Sequence, residues 1–249
     1  MEIAIVTGAG SGIGAATAKK LASNNYKVIM GDLDLKSASN IAQEIEQDGG
    51  SAVALELDVA NMTSIDNFID AILSKEKQID VLVNNAGIGI AGTVETTSPQ
   101  EWDKMFSVNV KGIYGMSRKV LPLMKKTHTG RIINVASVAG VVGLKDRAGY
   151  SATKGAIIAL TRAMQADVIE DNIRINAVAP GTIETPWVYR ITADKPNPEQ
   201  TRQTMKARQP INRMGTPQEV ADAIVFLAST NSSFVWGSIL TVDGGLSAF

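Results

Sequence analysis

The stretch that decides the fold is IAIVTGAGSGIG, at residues 3–14. Its first five residues are apolar or β-branched and predict a buried strand, which leads directly into a glycine-rich turn and then a helix. Glycines let a backbone turn tightly and approach a pyrophosphate, while a helix N-terminus offers unpaired N–H groups and a positive dipole end. The glycines alone indicate either a phosphate cradle or a purely structural turn. The strand–turn–helix setting favours the cradle.

Outside this unit, short β-branched runs alternate with longer helical stretches along the whole chain. The predicted strands occupy residues 3–7, 27–31, 52–58, 80–84, 130–136, 174–178 and 239–242, and the predicted helices occupy 12–23, 35–48, 62–75, 101–126, 150–167 and 217–228. The strands are apolar throughout rather than alternating, as a sheet covered on both faces requires. The pattern predicts one α/β domain over residues 1–249, a single-domain Rossmann fold with a doubly wound seven-stranded parallel sheet flanked by helices.

One segment, residues 182–216, interrupts this alternation. It contains no clear strand, and prolines occur at positions 186, 196, 198 and 210. Connections this long are uncommon in compact domains and usually form lids or binding loops. The segment follows the sixth predicted strand, at the carboxyl edge of the sheet where α/β folds bind ligands. We therefore expect a substrate lid at about 182–216, with a tolerated surface insertion as the alternative.

Composition excludes several classes of protein. The chain has 24 Lys and Arg against 25 Asp and Glu, a net charge of −1, and no basic stripe of the kind that nucleic-acid binding requires. No apolar run approaches the ~20 residues of a membrane helix, and no secretion signal precedes the first strand. Cysteine is absent and histidine occurs once, so we predict no disulfide and no metal site. We expect a cytoplasmic protein with neither nucleic-acid nor membrane partners.

Two carboxylates indicate which dinucleotide is bound. Asp32 ends the second predicted strand, at the distance of about 20 residues from Gly12 that is expected for a ribose-binding group. A carboxylate there accepts hydrogen bonds from both ribose hydroxyls and repels a 2′-phosphate. No Arg or Lys occupies position 11, 33 or 34 to bind that phosphate. The sequence therefore predicts NAD rather than NADP, and Asp58, after the third strand, is a candidate to meet the adenine amino group.

A tyrosine and a lysine indicate acid–base chemistry. Tyr150 and Lys154 are four residues apart, which places a phenol and an ammonium on one helix face. A free tyrosine has a pKa of about 10, and a neighbouring ammonium lowers that pKa towards the range that a general base needs. Ser137 ends the fifth strand and is placed to bond a reacting oxygen. Asn109, inside a predicted helix, indicates either a water held for proton relay or a side chain that bonds neighbouring backbone.

These motifs together resemble the short-chain dehydrogenase/reductases along essentially the whole chain. The matching features are the glycine motif at 7–14, the Asn-Asn-Ala-Gly turn at 84–87, the tetrad Asn109, Ser137, Tyr150 and Lys154, and Pro-Gly at 180–181. The resemblance implies that Tyr150 exchanges the substrate proton, that Lys154 binds the nicotinamide ribose and lowers the pKa of Tyr150, and that Ser137 orients the substrate oxygen. It also implies that Asn109 completes a water relay.

The resemblance further implies a set of cofactor contacts and an assembly. The contacts are Gly8, Ser11, Gly12, Ile13, Gly14, Asp32, Asp58, Val59, Asn85, Ala86, Gly87, Tyr150, Lys154, Pro180, Gly181, Ile183 and Thr185. Members of the family are commonly homotetramers. The small-residue helix at 150–167 and the Asp-Gly-Gly stretch at 243–245 resemble their interface elements.

The substrate is predicted from arginines. Arg147 precedes Tyr150 by three residues, and the 182–216 segment contributes Arg190 and Arg208, which are suited to a bidentate grip on a carboxylate. The segment is also similar to the branch that contains the type-2 hydroxybutyrate and 2-keto-3-deoxy-L-fuconate dehydrogenases. We expect an anionic hydroxy acid or sugar acid, with Ser137, Tyr150 and Trp187 also in contact with it. The alternatives are solvated arginines with a neutral polyol or sugar as substrate, and a dinucleotide-binding regulator without activity.

Overall fold

The computed structural model describes residues 1–193 and 196–248. In chain order the elements are β1 (Glu2–Thr7), α1 (Gly12–Ser23), β2 (Tyr26–Asp32), α2 (Leu35–Gln47), β3 (Ser51–Glu56), α3 (Met62–Leu73), β4 (Val81–Asn84), α4 (Pro99–Phe106), α5 (Gly112–Thr127), β5 (Gly130–Val135), α6 (Ala148–Asp167), β6 (Ile173–Pro180), α7 (Pro186–Ala193), α8 (Pro198–Lys206), α9 (Pro217–Ala228) and β7 (Ile239–Val242). The seven predicted strands are all present, with ends that shift by two residues or fewer.

The strands form one parallel sheet in the order β3-β2-β1-β4-β5-β6-β7. Ile5 of β1 pairs with Ile29 of β2 on one side and with Leu82 of β4 on the other. The chain therefore winds outwards from β1 through β2 to β3 and then returns to the other side of β1. The connections that leave β1 and β4 diverge, which opens a crevice at the carboxyl ends of these two strands. The predicted Rossmann fold is confirmed.

The continuous apolar strands are explained by helices on both faces of the sheet. Ala4 and Val6 of β1 belong to one buried cluster, which includes residues of α1 and α9. Ile3 and Ile5 point to the opposite face and belong to a second cluster, which includes residues of α3 and α5. Successive side chains of a strand point to opposite faces, so both sets must be apolar when both faces are covered. Among the described residues, no helix is long and apolar enough to cross a membrane.

The predicted helix at 101–126 is wrong as a single α-helix. It begins earlier, at Pro99, because Ser98 and Glu101 form a capping box in which each side chain bonds the other residue's backbone N–H. A π-helical turn at Ser107–Lys111 then separates α4 from α5. Such turns occur frequently at functional sites. Here the turn holds the buried Asn109, whose contacts are described below.

The 182–216 segment contains two helices, apart from residues 194–195, which lie outside the described residues. Pro186 begins α7, and Pro198 begins α8 behind the capping side chain of Asn197. Proline is favoured in the first helical turn, where its missing N–H costs nothing. Val188, Met205 and Met214 form a small buried cluster that joins these helices to the end of the segment. The segment is therefore a packed substructure above the carboxyl edge of the sheet.

Candidate active site

The turns that follow β1 and β4 are bound to each other. The Thr7 hydroxyl accepts hydrogen bonds from the backbone N–H groups of Asn85 and Ala86, both at 3.0 Å. In return, the Asn85 side-chain amide donates to the carbonyls of Thr7 at 2.9 Å and Gly8 at 3.0 Å. A Cβ built on Gly8 would lie 2.9 Å from the Cα of Ala86. The two turns therefore form one wall at the base of the crevice.

Glycines bring the start of α1 onto this wall. A Cβ built on Gly14 would lie 2.0 Å from the Gly8 carbonyl oxygen, so no larger residue fits there. Gly12 has a φ of +54°, a left-handed conformation that favours glycine. Ser11 is the N-cap of α1 and makes no side-chain capping bond. The first N–H groups of α1 are therefore free of a side-chain cap at the cavity wall, as a phosphate site requires.

Asp32 is held rigidly at one end of the cavity. Its carboxylate accepts hydrogen bonds from the backbone N–H groups of Gly10 at 2.8 Å and Asp34 at 2.9 Å. These bonds orient the carboxylate and leave lone pairs for ribose hydroxyls. Asp58 also lines the cavity, and its carboxylate accepts a bond from the Ala60 N–H at 2.9 Å. Backbone N–H groups thus hold the carboxylates of both Asp32 and Asp58 at the cavity.

Tyr150 and Lys154 lie in the first turns of α6 and face the cavity together with Ser137, which follows β5. Lys154 is only 4% exposed, and its Nζ donates to the Val135 carbonyl at 2.8 Å. The same Nζ lies 5.6 Å from the centre of the Tyr150 ring. The end of β5 and the start of α6 thus bring a hydroxyl, a phenol and an amine to one point of the cavity wall.

Burial acts on both ionisable groups of this cluster. Desolvation raises the pKa of the Tyr150 phenol above its ordinary value, while hydrogen bonding with the Ser137 hydroxyl and the positive charge of Arg147 act in the opposite direction. Desolvation also lowers the pKa of the Lys154 amine from 10.5 to about 8. Both shifts favour the neutral form, as expected for ionisable groups removed from water. Arg147 is thus the cation that counteracts the effect of burial on Tyr150.

Asn109 lies behind the cavity wall rather than on it. Its Oδ1 accepts from the Ile88 N–H at 2.8 Å, and its Nδ2 donates to the Ile88 carbonyl at 2.8 Å and to the Thr153 hydroxyl at 3.0 Å. Both amide hydrogens are therefore used by protein atoms. The side chain bonds backbone at Ile88, 21 residues away in the chain, and not the neighbouring backbone that the alternative prediction specified. The water relay stays a prediction.

The cavity has a volume of about 700 Å³ and is lined by the predicted site residues except Gly14 and Asn109. Those on its wall are Gly8, Ser11, Gly12, Ile13, Asp32, Asp58, Val59, Asn85, Ala86, Gly87, Ser137, Arg147, Tyr150, Lys154, Pro180, Gly181, Ile183, Thr185, Trp187, Arg190 and Arg208. Three residues of the tetrad, Ser137, Tyr150 and Lys154, thus face the same cavity as the glycine motif, from which they are far apart in the chain. Among the described residues, no group of three or more His, Asp or Glu side chains is placed to hold a metal ion.

The cavity is electrostatically divided. Its acidic residues, Asp32, Asp34 and Asp58, lie at or after the ends of β2 and β3, whereas Arg147 lies near Tyr150 and Arg208. Arg147 donates to the backbone carbonyl of Asp146 at 2.8 Å. Burial and the neighbouring positive charge of Arg208 lower the pKa of Arg147. Two guanidinium groups therefore lie close enough to repel each other, and none of the ion pairs among the described residues neutralises either one.

Several cavity residues were not predicted from the sequence. A Cβ built on Gly89 would lie 2.9 Å from Cζ2 of Trp187 and 3.2 Å from Cδ2 of Tyr150, so this glycine allows the two rings to approach the wall. Val188 and Met205 reach the cavity from α7 and α8. A helical periodicity within the 182–216 segment is the signal that could have found them. Leu144 also lines the cavity, and the sequence around it contains no comparable signal.

Comparison with known proteins extends this picture. A family model described as enoyl-(acyl carrier protein) reductase matches residues 8–247. The chain is 38% identical over 245 residues to the 3-oxoacyl-(acyl-carrier-protein) reductase FabG of Thermotoga maritima, covering 98% of this chain and 97% of that protein. It is 39% identical over 248 residues to the cis-4-hydroxycyclohexanecarboxylate dehydrogenase of Sinomonas cyclohexanicum, and 38% identical over 247 residues to the cyclopentanol dehydrogenase of Comamonas testosteroni. Each of these two matches covers 99% of this chain and 97% of the relative.

Solved structures agree closely with the fold. A protein from Burkholderia xenovorans assigned to the short-chain dehydrogenase/reductases superposes with a TM-score of 0.96 and 31% identity, covering 100% of this chain and 97% of that chain. A variant of actinorhodin polyketide ketoreductase in complex with NADPH gives a TM-score of 0.94 and 31% identity, covering 100% of this chain and 98% of that chain. In each of these two superpositions the aligned sequences are 31% identical, and the alignment covers 97% or more of both chains.

The buried Lys154 amine makes stability depend on pH in a predictable direction. Its folded-state pKa of about 8 lies below the unfolded value of 10.5. The cost of burying the charge is therefore fully present below pH 8 and disappears as the pH rises towards 10.5. We expect Lys154→Met to gain stability relative to the wild type at pH 7, with that relative gain reduced by about 1 kcal/mol at pH 9.

Urea unfolding at the two pH values, without added cofactor, measures this difference. Lys75→Met serves as a control, because Lys75 is exposed and its charge carries no burial cost. A constant difference between wild type and Lys154→Met across the pH range would show that Lys154 is not held in a desolvated site.

Proposed function

The chain belongs to the short-chain dehydrogenase/reductase family, and from this premise we propose that it is an NAD-dependent dehydrogenase of an anionic secondary alcohol, a hydroxy acid or a sugar acid. The family relationship makes it an oxidoreductase that acts on CH–OH groups. One observation supports the finer proposal above the others. Arg147 lies near both Tyr150 and Arg208, and Arg190 also lines the cavity, whereas the acidic wall residues lie at or after the ends of β2 and β3.

In the proposed reaction, Tyr150 is the general base for oxidation and the general acid for reduction. The substrate hydroxyl lies against Ser137 and Tyr150, gives its proton to the phenolate oxygen of Tyr150, and becomes a carbonyl as the carbinol carbon loses hydride. Bound NAD supplies the hydride acceptor. Because burial raises the pKa of Tyr150, the nearby positive charge of Arg147 assists formation of the phenolate. Lys154 contributes a second ammonium when protonated, and Ser137 orients the oxygen that reacts.

We assign the binding of NAD to the residues that the sequence indicated. Gly8 and residues 11–14 would hold the pyrophosphate at the start of α1, Asp32 the adenosine ribose, and Asp58 with Val59 the adenine. Residues 85–87 would line the path of the cofactor, with Tyr150 and Lys154 on the nicotinamide ribose. Pro180, Gly181, Ile183 and Thr185 would surround the carboxamide. The uncapped start of α1 and the rigid Asp32 carboxylate support this assignment.

The 182–216 segment is proposed to be the substrate lid. It contributes Trp187, Arg190 and Arg208 to the wall of the cavity, which residues at the ends of the strands also line. Its two helices are joined by a small apolar cluster, so α7 and α8 would move as a unit. Closure of such a unit over a bound acid would bring lid arginines to the carboxylate and exclude water from the reacting carbon.

The names of relatives do not distinguish an acid from a neutral alcohol. The cis-4-hydroxycyclohexanecarboxylate dehydrogenase has an anionic substrate and the cyclopentanol dehydrogenase a neutral one, yet the chain is 39% and 38% identical to them. The arginines favour the acid on physical grounds. Two guanidinium groups that repel each other in a partly desolvated cavity are stabilised by an anion between them. A neutral polyol or sugar is the second candidate.

We also propose a homotetramer that acts in the cytoplasm. The outer face of α6 carries small side chains at positions 152, 156, 159, 163 and 166, which allow another helix to approach closely. Phe234 is 99% exposed, and a subunit interface would remove this large apolar side chain from water. The absence of cysteine is compatible with a reducing compartment.

The arginine proposal predicts charge-selective turnover. With NAD, the enzyme should oxidise cis-4-hydroxycyclohexanecarboxylate or 3-hydroxybutyrate more efficiently than the matched neutral cis-4-hydroxycyclohexanecarboxamide or 2-butanol. Arg147→Ala and Arg208→Ala should each lower kcat/KM for the acids by about 10- to 100-fold, as loss of a charge-assisted hydrogen bond does. The neutral compounds should change by less. Reduced nicotinamide absorbance at 340 nm follows the reaction.

Arg202→Ala is the matched control. Arg202 lies in α8, is paired with Glu199 at 2.7 Å, and is not among the cavity residues of the described chain. Its removal should leave kcat/KM for the acids within a factor of about two. If the enzyme turns over the neutral compounds preferentially, the assignment as a dehydrogenase stands, but the proposed acid substrate is wrong and a neutral polyol or sugar takes its place. Equal losses in Arg147→Ala, Arg208→Ala and Arg202→Ala would overturn the proposal that the cavity arginines bind the carboxylate.

The cofactor proposal predicts a change of preference at Asp32. Asp32→Ala should shift the ratio of kcat/KM for NAD to that for NADP towards NADP by about tenfold or more, because it removes a ribose acceptor and a repulsive charge. Asp34→Asn is the control. The Asp34 carboxylate caps α2 through Ser37, and asparagine retains that cap while removing the charge. An unchanged ratio in Asp32→Ala would remove the basis for choosing NAD.

The assembly proposal is tested on α6. Ala159→Arg places a long charged side chain on the small-residue face, and we expect it to reduce the tetramer to dimers or monomers. Sedimentation velocity measures the change. Ala71→Arg, on the exposed side of α3, should leave the assembly intact. A wild-type protein that sediments as a monomer would contradict the proposal directly.

A further inference from the structure

Thr153 joins the two halves of the candidate site through its hydroxyl. The side chain is fully buried in α6, between Tyr150 and Lys154. Its Oγ1 donates to the Tyr150 carbonyl at 2.8 Å and accepts from Nδ2 of Asn109 at 3.0 Å. A hydroxyl has one hydrogen, and here that hydrogen is used within the helix. The oxygen is therefore left as an acceptor for the asparagine of the π-helical turn.

Asn109 in turn holds the chain that follows β4. Its amide makes paired hydrogen bonds with the N–H and the carbonyl of Ile88, each at 2.8 Å. Since the Ile88 N–H can only donate and the Ile88 carbonyl can only accept, the amide has one orientation. Its second N–H then points to Thr153. The segment 87–89, which lines the cavity, is thereby tied to α6.

These contacts form a closed circuit of residues, called the ring below, that begins and ends at Tyr150. From Tyr150 the ring passes through its carbonyl to Thr153, then to Asn109 and to Ile88. It returns through Gly89, where a built Cβ would lie 3.2 Å from Cδ2 of the Tyr150 ring. A side chain held on both its backbone and its ring has a defined position in the cavity. Loss of one bond frees residues 87–89 to move relative to the phenol.

We propose that Thr153 is a positioning residue for the reaction, which acts through Asn109 to hold residues 87–89 against the Tyr150 ring. The inference rests on the proposed role of Tyr150 as the proton-exchanging group, but not on the charge of the substrate. Thr153 touches neither the reacting atoms nor the cavity surface among the described residues. Its effect on the rate is through geometry, to which proton and hydride transfer are sensitive at the scale of 1 Å.

Thr161 provides a matched comparison two turns further along α6. Its side chain is also fully buried, donates to the Ile157 carbonyl at 2.8 Å and accepts from Nδ2 of a second buried asparagine, Asn134, at 2.9 Å. The two threonines thus have the same chemistry and burial. Thr161 lies outside the ring around Tyr150. Replacement of either hydroxyl by a methyl group leaves a buried amide hydrogen without its partner, at a similar cost in stability.

The experiment compares Thr153→Val, Thr153→Ser and Thr161→Val in the full-length enzyme with NAD and the best alcohol of the panel above, whether charged or neutral. We expect Thr153→Val to lower kcat at least tenfold, and Thr153→Ser, which retains the hydroxyl, to stay within threefold of the wild type. Thr161→Val should lose stability in urea unfolding yet keep kcat within threefold. If Thr153→Val does not fold, Thr153→Ala and Thr161→Ala replace the valine pair.

A double variant tests whether the effect passes through Asn109. If it does, Asn109→Ala combined with Thr153→Val should have the kcat of Asn109→Ala alone, because the second change removes a bond that no longer exists. Three results would overturn the proposal: an unchanged kcat in Thr153→Val, an equal loss in Thr161→Val, or losses that multiply in the double variant. A panel in which only neutral alcohols react would refute the acid proposal and leave this test intact.

Discussion

The structure depends on the close contact between the turns that follow β1 and β4. Hydrogen bonds among Thr7, Gly8 and Asn85 hold these turns together. A Cβ built on Gly14 would lie only 2.0 Å from the Gly8 carbonyl oxygen, which shows how closely α1 packs against them. Where the connections from two neighbouring parallel strands leave in opposite directions, a crevice opens between them. The depth of this crevice depends on how closely the two turns approach each other. Glycine and small polar residues allow that approach, so the same residues make the fold and open the dinucleotide cavity.

A second constraint is the division of charge along the cavity. Carboxylates follow β2 and β3, and arginines lie near Tyr150 and on the 182–216 segment. Each sign suits one part of the proposed pair of ligands: ribose hydroxyls at the acidic end and an anionic alcohol at the basic end. The arrangement also acts on the chemistry. Burial makes ionisation of Tyr150 and protonation of Lys154 less favourable. The positive charge of Arg147 stabilises the Tyr150 phenolate and so offsets part of this effect of burial.

Much of the fold and the site could be predicted because the relevant signals are local. The apolar runs, the glycine motif and the four-residue spacing of Tyr150 and Lys154 each lie within one strand, turn or helix. The parallel topology then brings the carboxyl ends of the strands to one edge, so residues at those ends share a cavity. Contacts between distant elements were less accessible. The helix predicted at 101–126 is divided by a π-helical turn, and the 182–216 segment, expected to be a loop rich in prolines, contains α7 and α8.

The sequence by itself determined the seven strands, the Rossmann fold and many of the residues at the cavity, because strand period, glycine conformation and helix spacing are properties of neighbouring residues. Only the tertiary structure decided that Asn109 bonds Ile88 and Thr153, that Gly89 admits the rings of Tyr150 and Trp187, and that Arg147 lies beside Arg208. The reason is physical: these partners are between 21 and 98 positions apart in the chain. Their contacts exist only once the packing of helices on the sheet has brought the elements together.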